Sequence, residues 1–244
     1  MKKEIILLLL LIITLFTINY SYLDSKLVLA FQNYETGIVE RVIDGDTIVI
    51  NGTSIRLLGI NSPEKGEIGY NQAKGFLEEK ILDKEVEIHF EGNKFDKYHR
   101  ELAYIYFEGK NINLESVQLG YSNFYFPSGK TSLYSKFNEK WQECLENNYN
   151  LCERSNQTCL ILDWLPTKQT VEVKNICNKE IDLKGYSIKD EGRKKYVFQK
   201  KIISPYEKII LTEKDWNETY VWTKTGDSIF FRDNFGKLIF YENY

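Results

Sequence analysis

Residues 42–50 read VIDGDTIVI, and this stretch decides the fold of the first half of the chain. An Asp-Gly pair between two runs of β-branched apolar residues is typical of a tight β-hairpin. In such a turn we expect Gly45 to supply a positive φ. A second carboxylate, Asp46, follows the glycine. Asp46 either begins a solvated strand or faces a hard cation, and the turn alone leaves both interpretations open.

Alternating apolar and polar residues continue on both sides of this turn and predict further strands. The period changes to that of a helix over residues 70–82, 113–121 and 132–148. These elements predict an OB-type five-strand β-barrel with helices over residues 36–154. The strands are predicted in TGIVERVI, DTIVIN, TSIRLLG, EVEIHFEG and ELAYIYFEG.

The second half of the chain has short, closely spaced strand patterns and little helical period. This pattern predicts a small β-sandwich over residues 158–244. The boundary between the two predicted domains falls in the polar segment NNYNLCERSNQTC, residues 147–159.

The overall charge gives no sign of a general nucleic-acid binder. The chain has 244 residues, with 32 Lys and Arg against 35 Asp and Glu, and a net charge of −3. Within residues 36–154 the carboxylates also outnumber the cations. A polyanionic ligand would therefore depend on local positive charge, or on charge from the second half of the chain.

The N-terminus predicts export. Lys2 and Lys3 precede an apolar run from Ile5 to Phe16, so residues 1–30 are expected to be a signal peptide or an uncleaved membrane anchor. The protein would then be secreted or held at the outer face of the membrane. Export permits disulfides among the four cysteines, for which three pairings are possible, and a zinc site is not expected. The cysteines are Cys144, Cys152, Cys159 and Cys177.

Three segments of the predicted barrel concentrate polar chemistry: DGDT at 44–47, IRLLGINSPEKGE at 55–67 and DKYHR at 96–100. Together they offer oxygen ligands for a hard cation, two arginines for a phosphodiester and a glutamate for a water molecule. That set suits metal-assisted phosphodiester hydrolysis. Each segment can also be explained without a functional role. In that case Arg56 is a surface or salt-bridge residue, Ser-Pro-Glu begins a helix and DKYHR forms a hairpin loop.

The same segments, with VQLGYS at 117–122, closely resemble the thermonuclease, or staphylococcal-nuclease-like, family from residue 36 to about 150. The resemblance implies an OB-type barrel and Ca²⁺-dependent endonuclease cleavage of DNA and RNA at the P–O5′ bond. By position it implies catalytic roles for Arg56, Arg100 and Glu64, with Glu64 positioning or deprotonating the attacking water.

The resemblance also implies a set of metal and substrate ligands. The metal ligands are Asp46, Asn61 and the backbone carbonyl of Ser62, with Asp44 close by. Tyr98 and Phe126 are implied as substrate contacts, with Phe124 and Tyr125 as further candidates for base stacking.

Position 61 departs from the family, which usually has aspartate there. An amide oxygen brings no charge, so we expect weaker calcium binding or a preference for Mn²⁺ or Mg²⁺. Glu67 is a candidate to compensate for the missing charge.

The second half resembles the lamin-tail-like domain, through the segment from Asn175 to Asp190 and the one from Gly226 to Gly236. That resemblance implies an immunoglobulin-like β-sandwich with a binding or tethering role. A basic cluster either contacts phosphates and anionic surfaces or only protects a strand edge from aggregation. It contains Arg193, Lys194, Lys195, Lys200 and Lys201.

The leading hypothesis is thus an exported, metal-dependent nuclease with a C-terminal binding domain. The alternative is a non-catalytic OB module that binds single-stranded nucleic acid and carries an envelope-interaction domain. In a third interpretation the sandwich does the work and the barrel is a remnant.

Overall fold

The first half of the chain closes into a barrel in the computed structural model, which describes residues 3, 5, 14, 34–127 and 129–244. Most of the predicted signal peptide or anchor lies outside the described residues. The elements of this half are β1 (Glu35–Asp44), β2 (Thr47–Ile50), β3 (Thr53–Leu57), β4 (Ile60–Asn61), α1 (Tyr70–Ile81), β5 (Glu85–Phe95), β6 (Glu101–Phe107), β7 (Lys110–Asn111), α2 (Ile112–Gln118), β8 (Asn123–Phe124) and α3 (Tyr134–Asn147).

Five strands, β1, β2, β3, β5 and β6, form the barrel, as the alternating pattern predicts. The sheet runs in the order β3-β2-β1-β5-β6-β7, in which the two-residue β7 is a sixth strand that pairs with β6. A parallel pairing of β3 with β6, from Ile55 opposite Glu101 to Leu57 opposite Ala103, closes it. Closure removes the exposed sheet edges and brings the end of β3 beside the start of β6.

The hairpin between β1 and β2 has the predicted two-residue turn, but its glycine has a different role from the one expected. The φ of Gly45 is not in the left-handed region. A Cβ at this position would lie 2.5 Å from the Cβ of Ala73 and 2.7 Å from the Cβ of Ser62. Glycine is therefore needed because α1 and the segment after β4 approach the turn closely, and the prediction of a positive φ is wrong.

The helices bury the stripes that their period predicts. Helix α1 buries Ala73, Phe76, Leu77 and Ile81. Helix α3 buries Phe137, Trp141 and Cys144. Both helices pack on the barrel, because their apolar residues recur at intervals of three and four.

The second half is a β-sandwich, as predicted. Its strands are β9 (Leu160–Leu165), β10 (Thr170–Asn175), β11 (Ile181–Asp182), β12 (Ser187–Lys189), β13 (Lys195–Val197), β14 (Ile202–Ile203), β15 (Lys208–Thr212), β16 (Ser228–Arg232) and β17 (Leu238–Asn243). A three-stranded sheet β15-β10-β9 and a four-stranded sheet β13-β12-β16-β17 enclose one apolar core, and β11 pairs with β14. Short 3₁₀ helices span Asn150–Cys152, Pro166–Lys168 and Glu213–Trp216.

Strand β16 is buried on both of its faces and joins the sandwich to the barrel. Ile229 and Phe231 point into the sandwich core. Phe230 points the other way and meets Trp141 of α3 edge-on, with ring centroids 5.7 Å apart. Tyr241 on β17 lies 5.5 Å from the same indole ring. The outer face of the four-stranded sheet therefore packs against the barrel as a core surface rather than facing water.

The four cysteines form two disulfides. Cys144 at the end of α3 pairs with Cys152, and Cys159 pairs with Cys177 inside the sandwich. Among the residues that the structure describes, no helix has both the length and the apolar character needed to cross a bilayer.

Candidate active site

Asp46 lies in the β1–β2 turn, and its carboxylate contacts two other residues of the predicted site. Oδ1 forms an ion pair with Nη1 of Arg56 at 3.0 Å. Oδ2 accepts hydrogen bonds from the backbone N–H of Ser62 at 2.8 Å and from its hydroxyl at 2.9 Å. Asp46 is only 5% exposed, so its interpretation as a solvated strand start is wrong.

Arg56, on β3, links the turn to the segment that carries Asn61. Its Nη1 donates to the carbonyls of Asp46 and Leu57, both at 3.3 Å, and its Nη2 donates to Oδ1 of Asn61 at 3.4 Å. Burial lowers the pKa of Arg56, and the charge of Asp46 opposes that shift. Arg56 is therefore not a surface residue, and its interpretation as a salt-bridge partner is confirmed.

Arg100 approaches the same region from the start of β6. Asp96 holds it through Nε at 2.8 Å and Nη2 at 2.7 Å. Its Nη1 donates to the hydroxyl of Thr47 at 3.4 Å, and Thr47 in turn donates to Asp46 at 3.1 Å. The exposed ring of Tyr98 lies 5.5 Å from the Arg100 guanidinium carbon. The three sequence segments thus converge, as the predicted chemistry requires.

A cleft of about 730 Å³ is lined by Arg56, Asn61, Tyr98 and Arg100. Asp46 is not part of its lining and is connected to it through the ion pair with Arg56. The three candidates for base stacking differ in whether they line this cleft. Tyr125 and Phe126 line the cleft, although Phe126 also packs edge-on against Phe137 at 5.3 Å. Phe124 is buried in the barrel core instead, so its candidacy for stacking is wrong. The side chains on the cleft wall that bear on the predicted chemistry are Arg56, Asn61, Tyr98, Arg100, Tyr125, Phe126 and Arg193.

Asn61 binds the sandwich through its amide nitrogen. Nδ2 donates to the backbone carbonyl of Gly192 at 2.8 Å and to that of Glu191 at 3.2 Å. Asn123 donates to the same Glu191 carbonyl at 2.9 Å. An aspartate at position 61 has no N–H to donate and would face two carbonyl oxygens, which costs about 1–3 kcal/mol. The departure from the family at this position therefore has a structural reason within the chain.

The two glutamates after β4 also bind the sandwich. Oε1 of Glu64 lies 2.9 Å from Nε of Arg193. Glu67 lies 2.8 Å from Lys195 and 3.6 Å from Lys189. Burial opposes ionisation of Glu67, but the two lysines outweigh it and lower its pKa. Glu67 is thus a partner of sandwich lysines, and this engagement does not support the idea that it replaces a metal-ligand carboxylate.

The donor set at the turn is the kind that a hard cation takes. Burial raises the pKa of Asp44, and the charge of the neighbouring Asp46 carboxylate raises it further. With the oxygens of Asn61 and Ser62 beside them, the donors are all oxygen, which suits Ca²⁺ or Mg²⁺. In the described part of the chain, no group of three or more His, Cys, Asp or Glu side chains is arranged to hold a metal ion.

The loop that contacts Asn61 carries carboxyls with raised pKa values. Burial and the charge of Asp227 raise the pKa of Asp190 to about 7. Burial, Asp227 and Asp190 raise the pKa of Glu191 to about 8. Lys189 and Lys194 act in the opposite direction on Asp190. In the folded protein, both carboxyls therefore hold a proton at a pH where the unfolded chain has lost it.

These shifts predict that the loop contributes less stability as the pH rises. A carboxyl whose pKa is raised on folding favours the folded state at low pH. That contribution is lost between the unfolded pKa, about 4, and the folded pKa near 8 for Glu191. We expect the free energy of unfolding, measured with urea, to fall less between pH 5 and pH 8 in Glu191→Gln than in the wild type. An equal fall in the two proteins would contradict the raised pKa of Glu191.

Sequence reasoning missed the approach of the β12–β13 loop to the cleft. Arg193 appears in the sequence only as a member of a basic cluster. Two signals pointed to its position: the asparagine at position 61, and the excess of carboxylates in residues 36–154. Neither signal identifies the β12–β13 loop or Arg193 as the part of the chain that lies at the cleft.

A closed five-strand barrel with packed helices defines the fold class as an OB-type barrel, and three arginines line one of its clefts. Comparison with known proteins narrows this class. The family described as Staphylococcal nuclease homologue matches residues 54–151.

Several known proteins are similar to this chain. A thermonuclease of Staphylococcus intermedius is 30% identical over 132 residues, covering 49% of this chain and 77% of that protein. An uncharacterized endonuclease of Haemophilus influenzae is 29% identical over 137 residues, covering 51% and 76%. The endonuclease YhcR of Bacillus subtilis is 34% identical over 110 residues, covering 37% of this chain and 9% of that protein. The chain belongs to the staphylococcal nuclease family.

Proposed function

We propose that this protein is a divalent-metal-dependent endonuclease that hydrolyses phosphodiester bonds of DNA and RNA. One observation carries the proposal. Arg56 on β3 and Arg100, just before β6, line a single cleft, and Arg56 forms an ion pair with the carboxylate of Asp46. Family membership supports the same activity.

The arginines, the glutamate and the aromatic side chains of the site each have a different part in this reaction. Arg56 and Arg100 hold non-bridging phosphate oxygens and stabilise the charge that builds up when water adds to phosphorus. Glu64, whose carboxylate pairs with Arg193 of the cleft wall, orients the attacking water or accepts its proton. Tyr98 contacts a phosphate, and Tyr125 and Phe126 offer ring faces to the bases.

Asp46, Asn61 and the Ser62 carbonyl would hold the metal ion, with Asp44 close by. When bound, a divalent cation supplies Lewis-acid stabilisation of the phosphate charge. Ca²⁺ is the ion that the family resemblance favours. Because Asn61 brings no charge, Mn²⁺ or Mg²⁺ is an alternative.

The sandwich, residues 158–244, is proposed to be a lamin-tail-like binding or tethering domain appended to the nuclease domain, residues 36–154. Export is proposed as well, with the protein either secreted or anchored outside the membrane. Two disulfides support an oxidising location, since such bonds persist mainly outside the cytosol. The lysine-then-apolar pattern of residues 1–30 supports it too.

A second candidate is a non-catalytic module that binds single-stranded nucleic acid, with the sandwich as an envelope-interaction domain. Two observations favour it: the uncharged Asn61, and the ion pair that occupies Glu64. Both candidates use the same cleft, so only the chemical step separates them.

Incubating the purified protein with DNA and RNA in Ca²⁺, Mg²⁺, Mn²⁺ or a chelator tests the proposal. We expect the wild type to shorten both polymers with at least one ion and not with the chelator. Glu64→Gln should be slower by about 10²–10⁴-fold. Binding without cleavage under every ion would support the second candidate instead.

A further inference from the structure

We propose that Arg193, from the sandwich, is a third phosphate-binding residue of the nuclease cleft and contacts the backbone of the bound nucleic-acid strand. This inference rests on the proposed nuclease function. It assigns to the sandwich a direct part in substrate binding, beyond tethering.

The loop that carries Arg193 is fixed against the barrel. Asn61 and Asn123 donate three hydrogen bonds to the carbonyls of Glu191 and Gly192. A Cβ on Gly192 would lie 3.3 Å from the ring and hydroxyl of Tyr125, so glycine permits this close approach. The loop therefore forms part of the cleft wall, and the backbone next to Arg193 is held in a defined position.

Arg193 is the most accessible of the three arginines that line the cleft. The side chain of Arg56 is 9% exposed and is paired with Asp46, and that of Arg100 is 23% exposed and is paired with Asp96. The Arg193 side chain is 57% exposed and uses Nε for Glu64. The outer edge of its guanidinium is thus available to a phosphate arriving from solvent.

The excess of carboxylates in the barrel explains why positive charge from Arg193 would help to bind a polyanion. Carboxylates outnumber cations within residues 36–154, so the barrel by itself attracts a polyanion poorly. Arg193 supplies positive charge at the mouth of the cleft from outside the barrel sequence. A surface ion pair with Glu64 alone would contribute only about 0–1 kcal/mol of stability, and it would leave nucleic-acid binding unchanged.

The test is fluorescence anisotropy with the full chain and a labelled single-stranded DNA of about 16 nucleotides, in chelator so that no cleavage occurs. Arg193→Ala should raise Kd about tenfold and reduce the slope of log K against log salt by about 0.7. Arg193→Lys should retain part of the affinity and of the slope. With the activating metal present, Arg193→Ala should raise KM more than it lowers kcat.

Arg41→Ala is the matched control, because it removes the same group from an exposed position on β1 that does not line the cleft. If Arg193→Ala binds and cleaves DNA like Arg41→Ala while the wild type is active, this inference is wrong and the proposed function stands. If the wild type neither binds nor cleaves DNA or RNA, both are wrong. Thermal unfolding of each variant verifies that the fold is retained.

Discussion

Replacing Arg100 by alanine is expected to lower kcat/KM for DNA by about 10²–10³-fold. Removing one donor that stabilises charge in the transition state has an effect of this size. Arg100 suits the test because its side chain is partly exposed and bound to Asp96, so its loss leaves the core intact. Initial rates of DNA cleavage, with the metal that activates the wild type, give the value.

The control for this experiment is again Arg41→Ala, which changes the net charge equally. A reduction of less than a few-fold in Arg100→Ala, or an equal reduction in the two variants, would contradict the role of Arg100. Arg56 is a poorer target, because its removal leaves the buried carboxylate of Asp46 without its cationic partner. That loss destabilises the fold by about 3–5 kcal/mol, so a lower rate of cleavage could not be distinguished from a lower fraction of folded protein.

Replacing Trp141 by alanine is expected to lower the free energy of unfolding by about 3–5 kcal/mol, the usual result for a fully buried tryptophan. Trp141 is 0% exposed. Its ring meets Phe124 of the barrel and Phe230 of the sandwich, at 6.4 Å and 5.7 Å between centroids. The cavity therefore opens where the two halves share a core.

Urea unfolding followed by circular dichroism measures this effect. Phe235→Ala is the matched control, because Phe235 is an aromatic residue that is 71% exposed, and its loss should cost less than about 0.5 kcal/mol. A destabilisation below about 1 kcal/mol in Trp141→Ala would mean that the shared aromatic core contributes little.

Local patterns in the sequence were sufficient to predict the five barrel strands, the three helices and part of the site. They did not predict the two-residue strands β4, β7 and β8. The alternation around VIDGDTIVI predicts the strands, and the spacing of Phe137 and Trp141 predicts the buried face of α3. The family resemblance implies that Asp46, Arg56 and Arg100 share one site, and the barrel brings them together by placing the end of β3 beside the start of β6.

Long-range contacts were not predictable from the same patterns. The bond from Asn61 to Gly192 joins residues 131 positions apart, and no local period encodes it. The role of Gly45 depends on how closely α1 packs on the turn, which composition does not reveal. Phe124 and Phe126 look equivalent in the sequence, and only the pairing of β4 with β8 places Phe124 in the core. The disulfide pairing is likewise a property of the folded chain.

The central claim is that one cleft holds both the metal ion and the scissile phosphate. A crystal structure of the protein grown with Ca²⁺ and a non-hydrolysable single-stranded DNA tests it most directly. The account predicts an ion at Asp46 and a backbone phosphate in contact with Arg56 and Arg100. A strand bound on the outer face of the sandwich, with the cleft holding neither ion nor phosphate, would contradict it.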